Sequence, residues 1–190
     1  MINRKFDPFR MAALDSEKRK EILPAEKIIE VIDLTEEANI ADIGCGTGYL
    51  TIPLARKVPK GRIFAVDIEP GMLSVLAERA KGLDNITIVH STENNIPVAD
   101  NLLDISFLIA VLHELHNPED FLKEIRRISK SGHYVVVVDW NEKKADMGPP
   151  MHIRIPKDKA INLFRLHDYG LRKEFSPSAY FYGLLFQHKK

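Results

Sequence analysis

Asp42-Ile43-Gly44-Cys45-Gly46-Thr47-Gly48 stands between an apolar run, Asn39–Ile43, and a helical stretch from about Tyr49 to Lys57. Glycines at alternate positions let the backbone turn tightly and let a ligand approach without Cβ clashes. The spacing is selective. A dinucleotide fingerprint needs G-x-G-x-x-G, but its third glycine would fall on Tyr49 counting from Gly44, or on Thr51 counting from Gly46. No Gly-Lys-Ser/Thr follows, so the turn is not a P-loop. What remains is a glycine turn with a carboxylate in front of it. Asp42 at the lip of a pyrophosphate site would repel its ligand, whereas it suits an ammonium or sulfonium group with no phosphate. The same carboxylate also has a local use, satisfying the turn's own amides.

Outward from the turn, the chain alternates between strand and helix patterns. Arg62–Asp67 reads as a second strand, and Pro70 to Lys81 as a helix with Met72, Leu73, Leu76 and Ala80 inward. Asn85 to His90 is a third strand and Asp104 to Ala110 a fourth. Glu119 to Ser129 is a helix carrying Phe121, Leu122, Ile125 and Ile128. Tyr134 to Trp140 is a β-branched run of the kind buried on both faces. This alternation implies right-handed crossovers and a mostly parallel sheet, an α/β fold. At the end, Leu171 to Phe175 and Tyr180 to His188 have only four residues between them, too few for a crossover, so they should pair as an antiparallel hairpin. Upstream, Ala25 to Leu34 places Ile28, Val31 and Ile32 on one helical stripe. Ser16 begins a shorter helix that ends near Pro24. Residues 1–24 are therefore read as an arm, with Phe6, Phe9, Met11, Leu14, Ile22 and Leu23 set among charges, expected to dock as a lid. Residues 25–190 are read as one domain.

Composition narrows the function. One cysteine, Cys45, excludes a disulfide framework and a four-cysteine zinc site. Twenty-seven basic residues balance 27 acidic ones, which argues against a dedicated nucleic-acid binder. No apolar run approaches the ~20 residues of a membrane span, and the opening residues lack the apolar core of a signal peptide; a cytoplasmic protein is expected. The balance is uneven along the chain. From Gly82 to Leu122 there is no Lys or Arg, but Asp84, Glu93, Asp100, Asp104, Glu114, Glu119 and Asp120 occur. Such a run is either a solvated face or an acidic mouth suited to a cationic ligand.

Asp67 ends the second strand about twenty residues beyond the glycines, where a carboxylate accepts both hydroxyls of a ribose. Its plainer role is to cap the following helix. Ile68 is placed to pack on one face of an adenine, with Met72 a turn further on. Taken together, Asp42–Gly48, Val66-Asp67, the segment Asn94–Asn101 and Val111-Leu112-His113-Glu114-Leu115 resemble class I S-adenosylmethionine-dependent methyltransferases. The similarity is to the small-molecule branch that includes the type 11, ubiquinone/menaquinone-biosynthesis enzymes, and it covers roughly residues 25 to 140. It implies a Rossmann-like, doubly wound sheet of seven strands in the order 3-2-1-4-5-7-6, with the C-terminal strand antiparallel. It implies S-adenosyl-L-methionine as cofactor, S-adenosyl-L-homocysteine as product and a small-molecule methyl acceptor. By the same resemblance Asp42, Gly44 and Gly46 surround the methionine end, Asp67 holds the ribose and Leu108 offers a backbone group near the amino-acid moiety. Where many relatives place an acidic residue against the adenine amino group, this chain has Thr92, with Glu93 next.

Methyl transfer from a sulfonium relies mainly on proximity and orientation, so no single catalytic residue is assigned. His113 is a candidate substrate-facing residue, and Arg154 a candidate anchor for an anionic acceptor. His113 and His116 lie three apart rather than four, without a third ligand, and no metal is expected. The Asn/Asp-Pro-Pro-aromatic motif of nucleic-acid N-methylation is absent after the fourth strand. Two other classes share parts of this pattern: a nicotinamide oxidoreductase, which the glycine spacing and Asp42 oppose, and a non-catalytic cofactor-binding protein.

Overall fold

Seven strands form one sheet: Asn39–Ile43 (β1), Arg62–Asp67 (β2), Ile86–His90 (β3), Leu103–Ile109 (β4), Ser129–Trp140 (β5), Tyr169–Ser178 (β6) and Phe181–His188 (β7). Their spatial order is β3-β2-β1-β4-β5-β7-β6. The first five are parallel, and β7 runs antiparallel to both β5 and β6. The computed structural model describes residues 16–143 and 148–189. Among these the helices are Glu17–Ile22 (α1), Ala25–Ile29 (α2), Thr51–Lys57 (α3), Pro70–Arg79 (α4), Pro118–Ile128 (α5) and Lys157–Leu166 (α6).

Alternation along the central strands sends side chains to two separate cores. Ala41, Ile43, Val66, Leu108, Val135 and Val137 pack with the α5 and α6 residues Phe121, Leu122, Ile125 and Phe164. Ile40, Ile63, Ile105, Phe107, Val136 and Val138 pack on the opposite face with Ile28 of α2 and Leu54 of α3. Helices thus cover both faces, as the strand–helix alternation requires. Each fully buried aliphatic side chain contributes roughly 1.5–3 kcal/mol, and Val135 to Val138 are all 0% exposed.

Several expected boundaries move. Ser16 caps α1 as read, accepting from the Arg19 amide. The helix expected over Ala25 to Leu34 stops at Ile29, yet Val31 is still buried. The apolar stripe is satisfied by a turn rather than by further helix. β5 begins at Ser129, five residues before the β-branched run, and its register to β4 slips between Leu103 and Ile105. Gly132, at φ +76°, accommodates the extra residues. The hairpin forms as expected, with β6 extended back to Tyr169.

Helix α5 also orders the loop that follows β3. Asn117 caps it by accepting from the Asp120 amide, and Pro118 opens it. Glu124 accepts the Ile96 amide at 2.7 Å, while Arg127 donates to the carbonyls of Ile96 (2.8 Å) and Val98 (3.0 Å).

Candidate active site

The carboxyl ends of the parallel strands open on one cavity of about 390 Å³, bordered by Ile43 (β1), Asp67 (β2), Ile109 (β4) and Trp140 (β5). This is where an open α/β sheet presents its ligand crevice, and the volume suits a small molecule.

The glycine turn shapes one wall. Gly44 and Cys45 donate to the Val66 carbonyl at 2.8 and 3.0 Å, folding the turn back on β2. Gly44 has φ +69°, and a Cβ there would stand 2.4 Å from Val111 Cγ2. The backbone therefore approaches Val111 as only glycine permits. Gly46 donates to Asp67 Oδ2 at 2.8 Å, and the Glu69 amide donates to Asp67 Oδ1 at 3.0 Å. Each carboxylate oxygen keeps further acceptor capacity. Asp67 is 9% exposed and borders the cavity.

Two residues expected at the methionine end stand behind the wall. Asp42 is 2% exposed, accepts from Thr51 Oγ1 at 2.5 Å and does not border the cavity. Its hydrogen bond is local and holds the start of α3. Burial raises its carboxyl to about 6, the Thr51 hydroxyl opposing and the Asp67 charge adding to the rise. Leu108 is fully buried, and the cavity is met instead by Ile109 and Ala110. Ala110 takes a left-handed conformation, φ +59°, a strain that a non-glycine residue carries where surrounding structure enforces it.

Ile68, Met72, Thr92 and Glu93 all border the cavity, on the side of Asp67. Thr92 donates its amide to the Asn95 carbonyl at 3.1 Å. Glu93 accepts from the His116 and Asn117 amides at 2.7 and 2.8 Å and pairs with the His116 ring at 3.0 Å. Burial would raise its carboxyl, but these donors hold it below the ordinary carboxylate value.

His113 and Arg154 have different fates. His113 borders the cavity, is 4% exposed, and its Nδ1 lies 2.7 Å from Asp139 Oδ1. His116 faces Glu93 instead, so the two histidines diverge. Arg154 does not border the cavity. It donates to the carbonyls of Pro149 (3.0 Å), Asn141 (2.9 Å) and Lys143 (2.8 Å) and lies over the Trp140 ring. The expected anchor for an anionic acceptor is thus a clamp on the segment after β5, its donors directed to backbone. Of the acidic run, Glu93 and Glu114 reach the cavity beside Asp67 and Glu69, whereas Asp100, Asp104 and Asp120 pair with Arg127, Lys130 and Lys123. Among the described residues, Arg19 stands on that border against Asp67, Glu69 and Glu93.

Comparison with known proteins agrees with this geometry. A methyltransferase domain model matches residues 41–137, half of the chain. The chain belongs to the methyltransferase domain family. It is 28% identical over 121 residues, 62% of its length, to the demethylmenaquinone methyltransferase of Staphylococcus aureus. The chain spans about half the length of the curated relatives it matches. It also resembles the crystal structure of a SAM-dependent methyltransferase from Aquifex aeolicus, with a TM-score of 0.91, 29% identity, and coverage of 96% of this chain and 99% of the other. A putative type 11 methyltransferase from Sulfolobus solfataricus shares the fold, with a TM-score of 0.70 and 22% identity over 89% of this chain and 94% of the other.

Within this methyltransferase domain, sequence reading missed Asp139 and Glu69. Asp139 is 0% exposed and accepts from the His113 amide, the His113 ring and the Trp140 amide. A carboxylate directly after four valines in a buried strand was the available signal, since such a charge requires partners. The arm is met only in part. Arg19 and Ile22 border the cavity, and the Tyr49 hydroxyl donates to the Leu23 carbonyl at 2.6 Å. Phe6, Phe9, Met11 and Leu14 lie outside the described residues. Among the described residues, no helix is long and apolar enough to cross a membrane.

Proposed function

We propose that this protein transfers a methyl group from S-adenosyl-L-methionine to a small-molecule acceptor, releasing S-adenosyl-L-homocysteine. The observation that carries this is Asp67, pinned by the Gly46 and Glu69 amides at the rim of an acidic cavity. Two backbone donors fix the carboxylate's orientation, and its remaining lone pairs suit the two hydroxyls of a ribose. Gly44 supplies the close backbone approach, Ile68 and Met72 the apolar faces for an adenine, and Asp67, Glu69 and Glu93, which outnumber the bordering Arg19 among the described residues, a field that favours a sulfonium. Bound there, the cofactor supplies an activated methyl group, and the chain's task is orientation and exclusion of water. We read the described part of the N-terminal arm, residues 16–24, as one border of this cleft, supported by Arg19 and Ile22 at its edge; residues 1–15 lie outside the described residues.

Calorimetry with S-adenosylhomocysteine and with NAD tests the cofactor. Binding of the first in preference to the second is expected; tight NAD binding with no response to S-adenosylhomocysteine removes the reading in favour of an oxidoreductase. Incubation with labelled S-adenosylmethionine and a metabolite extract tests turnover. A labelled small molecule is expected, and binding without any product would point to a non-catalytic cofactor-binding protein.

A further inference from the structure

On the basis of the methyl-transfer reading, we infer that His113 accepts the acceptor's proton, that Asp139 is its positioning residue, and that the acceptor is a neutral, largely apolar molecule reacting through a weakly acidic hydroxyl. Asp139 closes β5 after Val135–Val138 and is fully buried. A buried carboxylate is costly unless its oxygens are satisfied. Here Oδ1 accepts from the His113 ring at 2.7 Å and from the Trp140 amide at 2.7 Å, and Oδ2 accepts from the His113 amide at 3.1 Å. The His113 and Trp140 amides fix the Asp139 carboxylate, so the imidazole cannot swing without giving up its bond to a partner that cannot follow it.

That arrangement selects the tautomer. With Nδ1–H directed at Asp139, the lone pair resides on Nε2. Nε2 makes no hydrogen bond among the described residues, its nearest carboxylate oxygen being Glu114 Oε1 at 3.8 Å, and His113 borders the cavity. The acceptor oxygen's electron pair forms the bond to the methyl carbon, the bound sulfonium donor keeps the C–S pair, and the hydroxyl proton goes to Nε2. The resulting imidazolium is stabilised by Asp139 and later loses its proton to water.

The cavity's lining restricts the acceptor. Trp140, Phe181, Pro149, Pro150 and Ile153 supply apolar wall, while Asp67, Glu69 and Glu93, set against Arg19 among the described residues on that border, disfavour an anion. Arg154 is directed to backbone carbonyls instead. A neutral molecule enters, and its negative charge is to develop only as the proton leaves. A thioether or tertiary amine would give His113 nothing to accept.

The groups facing the pair set its pH response. Burial disfavours the imidazolium, but the Asp139 charge and hydrogen bond, with Glu114, outweigh both burial and Arg154 and hold His113 above the ordinary histidine value. Tyr182, opposite Asp139 on β7, stays protonated, because burial and the Asp139 charge push its phenol up.

The test uses the full-length protein. Ring resonances of labelled histidine should show His113 titrating above its ordinary value, and Asp139→Asn should bring it down. Transfer from labelled S-adenosylmethionine into a metabolite extract should fall about 10²- to 10⁴-fold in His113→Gln, with S-adenosylhomocysteine still bound. Asp139→Asn should move the acid limb of the pH–rate profile to lower pH, which a merely structural role would not do. The product should carry its new methyl on an oxygen. Near-normal transfer in His113→Gln, an unmoved acid limb in Asp139→Asn, or a sulfonium or quaternary ammonium product overturns the proposal. If His113→Gln does not fold, the wild-type titration, the Asp139→Asn profile and the product decide. A wild-type protein that fails to bind S-adenosylhomocysteine instead removes the methyl-transfer reading itself, whereas binding with an unmoved limb removes only the proton-accepting role.

Discussion

The Gly46 amide donates to Asp67 Oδ2 at 2.8 Å across 21 residues of sequence, joining the turn after β1 to the end of β2. The glycine turn and the acidic strand end are therefore one unit. Each fixes the other, and both border the cavity.

Asp67→Ala should weaken S-adenosylhomocysteine binding by roughly 2–4 kcal/mol, the range for losing charge-assisted bonds. Asp67→Asn should lose less, because an amide oxygen still accepts from one of the two backbone donors. Calorimetry on the folded variants gives the ordering. Equal dissociation constants for both variants and wild type would take Asp67 out of the site.

At Gly44 two costs are separable. An alanine there would carry about 1–2 kcal/mol of left-handed strain and would also press on Val111, whose Cγ2 lies 2.4 Å from the position of the new Cβ. Pairing Gly44→Ala with Val111→Ala should relieve the second cost and leave the first. Denaturant unfolding of both single variants and the pair forms a double-mutant cycle. A coupling of zero would mean that the turn moves away from Val111 rather than pressing on it.

Asp42 and His133 should oppose one another in acid. Burial raises Asp42 from 3.8 to about 6, so its contribution to stability is full below 3.8 and lost as pH rises through 6. Burial lowers His133 from 6.5 to about 4, so its contribution is full above 6.5 and lost as pH falls toward 4. Each amounts to about 3 kcal/mol, and the two windows overlap. Relative to wild type, Asp42→Asn should therefore lose stability as pH falls from about 6 to about 4, and His133→Gln should gain it. Urea unfolding across that range measures both slopes; curves parallel to wild type would refute the assignment.

Arg154 should behave as a clamp. Arg154→Met is expected to cost about 2–4 kcal/mol, because its guanidinium serves three carbonyls. Arg154→Lys should recover little of this, since an ammonium cannot reproduce the planar fork. Thermal unfolding of the pair decides it. Full recovery with lysine would mean that charge alone matters at this position.

What the sequence by itself determined is what depends on near neighbours. Strand and helix periodicity set the α/β alternation, the four-residue gap near Pro177 required a hairpin, and glycine spacing excluded a dinucleotide turn. The resemblance carried the strand order, which the sheet reproduces. Asp67 was legible too, because a strand end about twenty residues past the glycines can only return to them through one crossover. Tertiary structure alone decided where the other polar groups point. Asp42 turns to Thr51, Glu93 to His116, and Arg154 to backbone carbonyls. His113 meets Asp139 across 26 residues, a pairing set by the β4–β5 register, which itself slips beside Leu103. A one-residue change in register sends a side chain to the other face of a sheet. No local pattern encodes that choice, since it follows from which arrangement buries both cores and satisfies the buried carboxylate together.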